Sequence, residues 1–198
     1  MAPKTKFPID DIVDAALAVV RRDGLENLTT RAIAGELRSS TMPIYSCGKT
    51  ITEIEVAVVK RCWEILTGYQ KKPLTKDIYI DMGLGYVLFA KHENHLFGCI
   101  HSSKHVALNK RHAEENFIHN LNRLKDYPPF AEITEELRLK IMMQGWIFCH
   151  GLADLLSKNL SGNLSCPQTD EELAGFVIDA NKITYIGIKK TVEDNIKK

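Results

Sequence analysis

Residues 29–46 read Thr29-Thr30-Arg31-Ala32-Ile33-Ala34-Gly35-Glu36-Leu37-Arg38-Ser39-Ser40-Thr41-Met42-Pro43-Ile44-Tyr45-Ser46, and the fold is decided here. Thr29 and Thr30 offer an N-cap, because a threonine hydroxyl can accept an orphan amide of the first turn. The helix they open carries Ile33, Ala34 and Leu37 on one face. Ser39 and Ser40 offer a second cap. Thr41 to Tyr45 fits a short helix that tolerates Pro43 because it falls in the first turn. Two such helices meeting steeply need a small residue in the first, a tight turn four residues later, and an apolar anchor six beyond that. Ala34, Arg38 and Ile44 occupy those positions. Arg38 is the exception, since a left-handed turn favours glycine. The spacing suits a DNA-binding helix-turn-helix and also an ordinary helical corner.

Working outward, the pattern is helical almost throughout. Ile9, Ile12, Val13, Ala16, Leu17 and Val20 form one helical face between Pro8 and Gly24. Thr50-Ile51-Thr52-Glu53 is a capping box opening a long helix to Lys71-Lys72-Pro73. Further helices are predicted from Thr75 to about Lys91, Glu93 to about Ile100, Val106 to Tyr127, Thr134 to Lys158 and Asp170 to Lys190, with Pro128-Pro129 and the polar loop 159–169 as breaks. The reading is all-α, with a three-helix N-terminal domain (1–50) and a larger helical domain (51–198) whose first helix, 51–72, connects the two.

The stretch from Asp23 to Ala34, Ile44-Tyr45, Glu53-Ile54 and the segment Trp146 to Leu155 resemble the tetracycline-repressor-like family of transcriptional regulators. At motif level the resemblance covers residues 9–66. It implies that the third helix enters the major groove of a double-stranded operator, with Ser40, Thr41, Met42 and Pro43 at the bases or groove wall. Arg31 is then the candidate base reader, and Thr30 and Tyr45 position phosphates. Lys4 and Lys6 suit either a basic arm that reaches the DNA backbone or minor groove or a solvated basic tail. The chain departs from the family after Tyr45, where Cys47 and Gly48 replace His and Phe, and at Ile51, where the family has a phosphate-binding Lys. Lys49 stands nearby to make that contact.

Composition alone does not point to nucleic acid. The 26 basic and 25 acidic residues leave a net charge of +1. No stretch approaches a membrane span, and Met1 to Lys6 has no signal-peptide core, so the expectation is a cytoplasmic protein with reduced cysteines. No serine elbow, paired carboxylates or dinucleotide fingerprint appears, so an enzyme is not expected and no cofactor is called for. Gly48-Lys49-Thr50 ends like a phosphate loop, but Pro43 stands where its leading glycine belongs.

The remaining expectations concern ligand and partner. Tyr86, Phe89, Phe97, Phe117 and Trp146 supply bulk, and His101, His105 and His150 polar anchors, for a pocket that takes a small organic effector. Leu152, Leu155 and Leu156 on one long helix, with Phe176, Ile183 and Ile186 on the next, would form a four-helix homodimer interface. The rival reading is a metal-sensing regulator using His92, His95, Cys99, His101 and His105, with the first three on one helix face. The favoured reading assigns no metal ligands. A third possibility is a helical adaptor without DNA activity.

Overall fold

Pro8 stands at the head of the first helix, α1 (Ile9–Asp23), where its missing N–H costs nothing. Asp10 and Asp11 lie in the first turn and Arg21 and Arg22 in the last, each complementing the helix dipole. The computed structural model describes residues 7–131, 133–158, 167 and 169–196. Among them every regular element is a helix, so the all-α class is as read. No described helix is long and apolar enough to cross a membrane. After α1 come α2 (Thr30–Glu36), α3 (Met42–Ser46), α4 (Ile51–Gln70), α5 (Ile78–His92), α6 (Asn94–Ile100), α7 (Val106–Arg123), α8 (Glu135–Ser157) and α9 (Asp170–Ile196), with short 3-10 turns at Leu25–Asn27, Ser103–His105 and Pro128–Phe130. The long predicted helix from Val106 stops at Arg123 rather than Tyr127.

The chain divides into two compact units, Met1–Thr67 with His92–Asn116 and Gly68–Lys91 with Phe117–Lys198. In the first unit, α1 packs against α2 and α6, and α2 against α3. Ile12, Ala16, Val19 and Val20 of α1 are fully buried, as the spacing requires. Each fully buried Val or Ile stabilises by about 1.5–3 kcal/mol relative to exposure. Ile33, Ala34 and Ile44 are buried beside them. Buried Trp63 on α4 donates its indole N–H to Asn109 Oδ1 at 3.1 Å, so its polar edge is met as its bulk is buried.

In the second unit, Met82, Leu124, Phe130, Ile141 and Met142 form a core on which Tyr79, Phe117 and Tyr127 also pack. Thr134 accepts the Leu137 amide at 3.2 Å and caps α8. A Cβ at Gly145 would collide with the Tyr79 hydroxyl, so glycine is what lets α5 reach the α8 backbone there. The loop 159–166 and Cys166 lie outside the described residues, as do Lys4 and Lys6.

Candidate nucleic-acid interface and ligand cavity

Thr29 caps α2 by accepting the Ala32 amide at 3.1 Å. At the other end the chain closes by a tight pair of bonds. Arg38 N–H donates to the Gly35 carbonyl at 3.0 Å, and Ser39 N–H to the Ala34 carbonyl at 2.9 Å. Between them Arg38 adopts φ 48°, the left-handed conformation. This is a Schellman closure with arginine where glycine is usual. The sequence objection to Arg38 is therefore met by the backbone: the turn takes the required form and carries the side-chain strain.

The turn delivers α3 with Ile44 inward, 3% exposed, while Met42 and Tyr45 are 68% and 71% exposed. Tyr45 is not a core residue. Arg31 and Ser40 are also exposed, and Thr30, Thr41 and Pro43 half-buried. Neither Arg31 nor Arg38 has an ion-pair partner among the described residues, so both guanidinium groups are available to an anion. The departures Cys47 and Gly48 have a local role. The Cys47 thiol donates to the Ile44 carbonyl at 2.9 Å, and Gly48 at φ 75° turns the chain out of α3.

The capping box forms as read. Glu53 Oε2 accepts the Thr50 amide at 2.8 Å, and Thr50 Oγ1 accepts the Glu53 amide at 3.2 Å. Lys49, the candidate phosphate contact, lies 2.9 Å from Glu53 Oε1 at the surface. These contacts hold the Glu53 carboxyl down to about 2, the Thr50 amide contributing most and Lys49 next.

The histidine-cysteine segment is not arranged as the metal-sensing reading requires. α5 ends at His92 and α6 begins at Asn94, so His92 does not share a helix face with His95 and Cys99. His92 and His95 are exposed, whereas Cys99 is buried. The neighbouring Cys99 thiol, together with burial, pushes the Cys62 thiol up. The His101 ring packs on Phe97 with centroids 4.5 Å apart, and His105 Nε2 lies 3.2 Å from Glu55 Oε2. Glu55 is buried and also takes Lys104 at 2.6 Å. Among the described residues, no three His, Cys, Asp or Glu side chains gather in a group that could hold a metal ion.

The residues expected around an effector divide between the two units. Phe97, His101 and His105 belong to the first; Tyr86, Phe89, Phe117, Trp146 and His150 belong to the second. Tyr86, Phe89 and Phe97 are buried packing residues. In the second unit Tyr86 Oη and His150 Nδ1 are 2.9 Å apart, and half-exposed Trp146 stacks on the His150 ring at 5.3 Å. Burial pushes Cys149, next to His150, up to about 12, which suppresses a thiolate.

The second unit contains a cavity of about 220 Å³ bordered by Asp77, Tyr79 and Ile80 of the α5 start, Tyr127, Pro129 and Phe130 of the α7–α8 connection, Ile141 of α8, and Asn181, Lys182 and Thr184 of α9. None of the eight expected residues borders it. Its wall comes from four separate stretches of chain, and only the aromatic run Tyr127 to Phe130 stands out in the sequence.

On α9, Phe176, Ile183 and Ile186 are exposed, as a dimer face needs. On α8 the exposed apolar residues are Leu139, Met143, Trp146 and Ile147, whereas Leu152 is buried. Of the three leucines expected to face a partner copy, Leu152 thus points inward, and Leu155 and Leu156 are half-buried. No family model matches the chain, and no curated protein sequence matches it.

Proposed function

We propose that this chain is a DNA-binding transcriptional regulator resembling the tetracycline-repressor-like family, a homodimeric repressor that a small organic effector releases from its operator in the cytoplasm. The observation that carries the reading is the α2–α3 corner. A left-handed Arg38 lets Ile44 anchor α3 while Met42 and Tyr45 stand outward, and Arg31 on α2 is exposed and unpaired. A tyrosine and a methionine more than two-thirds exposed on a five-residue helix bury little, and they suit the wall of a major groove.

So short a reading helix contacts few base pairs, and two copies on a two-fold site supply the missing affinity. The exposed apolar residues of α8 and α9 support that second copy. An effector acts only by binding the DNA-incompetent state more tightly. The discriminating experiment is a gel shift of the full chain against duplex fragments of the source genome, flanking regions of its own gene first. Retardation of particular fragments, lost in Arg31→Ala, supports the reading. No retardation at low salt by any fragment would leave a helical adaptor.

A further inference from the structure

The hydrogen bonds around the cavity of the second unit are lopsided. Each hydroxyl there has already given its proton away: Tyr79 to the Ile141 carbonyl at 3.1 Å, Tyr127 to Asp77 Oδ2 at 2.6 Å, and Thr184 to the Ala180 carbonyl at 3.0 Å. Buried Asn181 spends one of its two amide protons on the Val177 carbonyl at 2.8 Å. These hydroxyls can therefore only accept.

Asp77 adds a negative charge. Its Oδ1 takes the amides of Tyr79 at 3.0 Å and Ile80 at 3.2 Å, capping α5, and its Oδ2 takes the Tyr127 hydroxyl. A carboxylate has about four lone-pair sites, so Oδ2 keeps capacity for one further donor. Tyr79, Tyr127 and Phe130 pack edge to face beside it, with Phe130 5.4 Å from Tyr79 and 4.9 Å from Tyr127 between ring centroids. Aromatic rings attract cations. Lys182 also borders the cavity, but its side chain is 65% exposed and its ammonium lies 3.7 Å from the Asp179 carboxylate, so its charge is met outside.

We propose that this cavity binds a small protonated amine carried on an apolar body of about one ring. Apart from the one amide proton left on Asn181 and the outward Lys182, this wall offers acceptors, aromatic rings and one carboxylate, so an anionic ligand meets a carboxylate and few donors, whereas an ammonium brings the protons that the acceptors take and the charge that Asp77 and the rings attract. The size agrees: an apolar cavity of about 150 Å³ holds benzene, and this one, at about 220 Å³, admits a ring with a short arm. As a binding site the proposal needs no DNA; as the identity of the effector it rests on the regulator reading above.

The test is calorimetric titration of the full chain at neutral pH with benzylammonium, benzoate and phenyltrimethylammonium. Benzylammonium is expected to bind at least tenfold more tightly than benzoate, and more tightly than phenyltrimethylammonium, which has charge but no N–H. Asp77→Asn keeps one oxygen for the α5 cap, puts an amide NH2 that can only donate opposite the Tyr127 hydroxyl, and removes the charge; it should weaken benzylammonium at least tenfold. If that variant fails to fold, the comparison of the three probes on the unmodified chain still decides. Absence of benzylammonium binding, or benzoate or phenyltrimethylammonium binding as tightly, would overturn the proposal without touching the DNA reading. Benzylammonium binding that leaves a gel-shift complex intact would keep the site and remove its effector role.

Discussion

Ser39 donates its amide to the Ala34 carbonyl at 2.9 Å across an arginine held at φ 48°. Ala34 is thus both the small residue that lets α3 approach α2 and the acceptor that ends α2. The corner that aims the candidate reading helix is locked by backbone bonds, with the strain confined to one side chain.

That strain is measurable. A left-handed L-residue costs about 1–2 kcal/mol, and glycine's extra chain entropy returns about 0.5–1 kcal/mol of that. Arg38→Gly is therefore expected to stabilise the first unit by about 0.5–1 kcal/mol in urea unfolding. Arg38→Val, β-branched, should destabilise it by at least 1 kcal/mol or so. Equal stability of the two variants would mean that Arg38 is not held left-handed in solution.

Gly145 and Tyr79 make a coupled pair. Gly145→Ala pushes a methyl into the Tyr79 hydroxyl and should cost about 1–3 kcal/mol. In a Tyr79→Phe background the obstructing oxygen is gone and most of that cost should vanish. A double-mutant cycle by thermal unfolding reads the difference; additive costs would contradict the close approach.

Glu53 sets a pH dependence. Its folded-state value of about 2 lies below the usual 4.5, so its contribution is fully present above the unfolded value and is lost as pH falls through the folded one. The first turn of α4 should stay tied at pH 7 and loosen between about pH 4.5 and 2. Carboxyl-carbon NMR should titrate Glu53 near the lower end of that window. A midpoint near 4.5 would mean that the Thr50–Lys49–Glu53 contacts do not persist.

The α9 face predicts the oligomer. Ile183 is 72% exposed, so Ile183→Asp should leave the protomer fold and its helical circular dichroism intact. Sedimentation should give a dimer for the unmodified chain at micromolar concentration and a monomer for Ile183→Asp. A monomer in both cases would leave the exposed Phe176, Ile183 and Ile186 without the partner assigned to them.

What the sequence makes legible is local. The α1 face, the Thr29 cap and the Thr50–Glu53 box depend on residues within a turn of one another, and they form as read. Arg38 is readable only halfway, because the backbone supplies a conformation that the side chain disfavours. The phase of α8 is not readable: apolar residues ring the whole helix, so Leu152 turns inward and Met143, Trp146 and Ile147 outward without a sequence signal to choose. The cavity is least legible of all. Asp77, Tyr127 and Thr184 meet only through packing of distant stretches, while the more conspicuous aromatics Tyr86, Phe89 and Phe97 fill core. His92 fails as a metal ligand for a similar reason, since a single break at Glu93 moves it off the face of His95 and Cys99.

The most direct test of the central claim is selection of bound sequences by the full chain from a pool of random duplexes. A two-fold symmetric site whose half-sites lie about one helical turn or a multiple apart should be enriched. The enrichment should be lost in Met42→Glu/Tyr45→Glu, and preference at one base pair per half-site relaxed in Arg31→Ala. A pool left unenriched, or enriched equally by the α3 double variant, would contradict it.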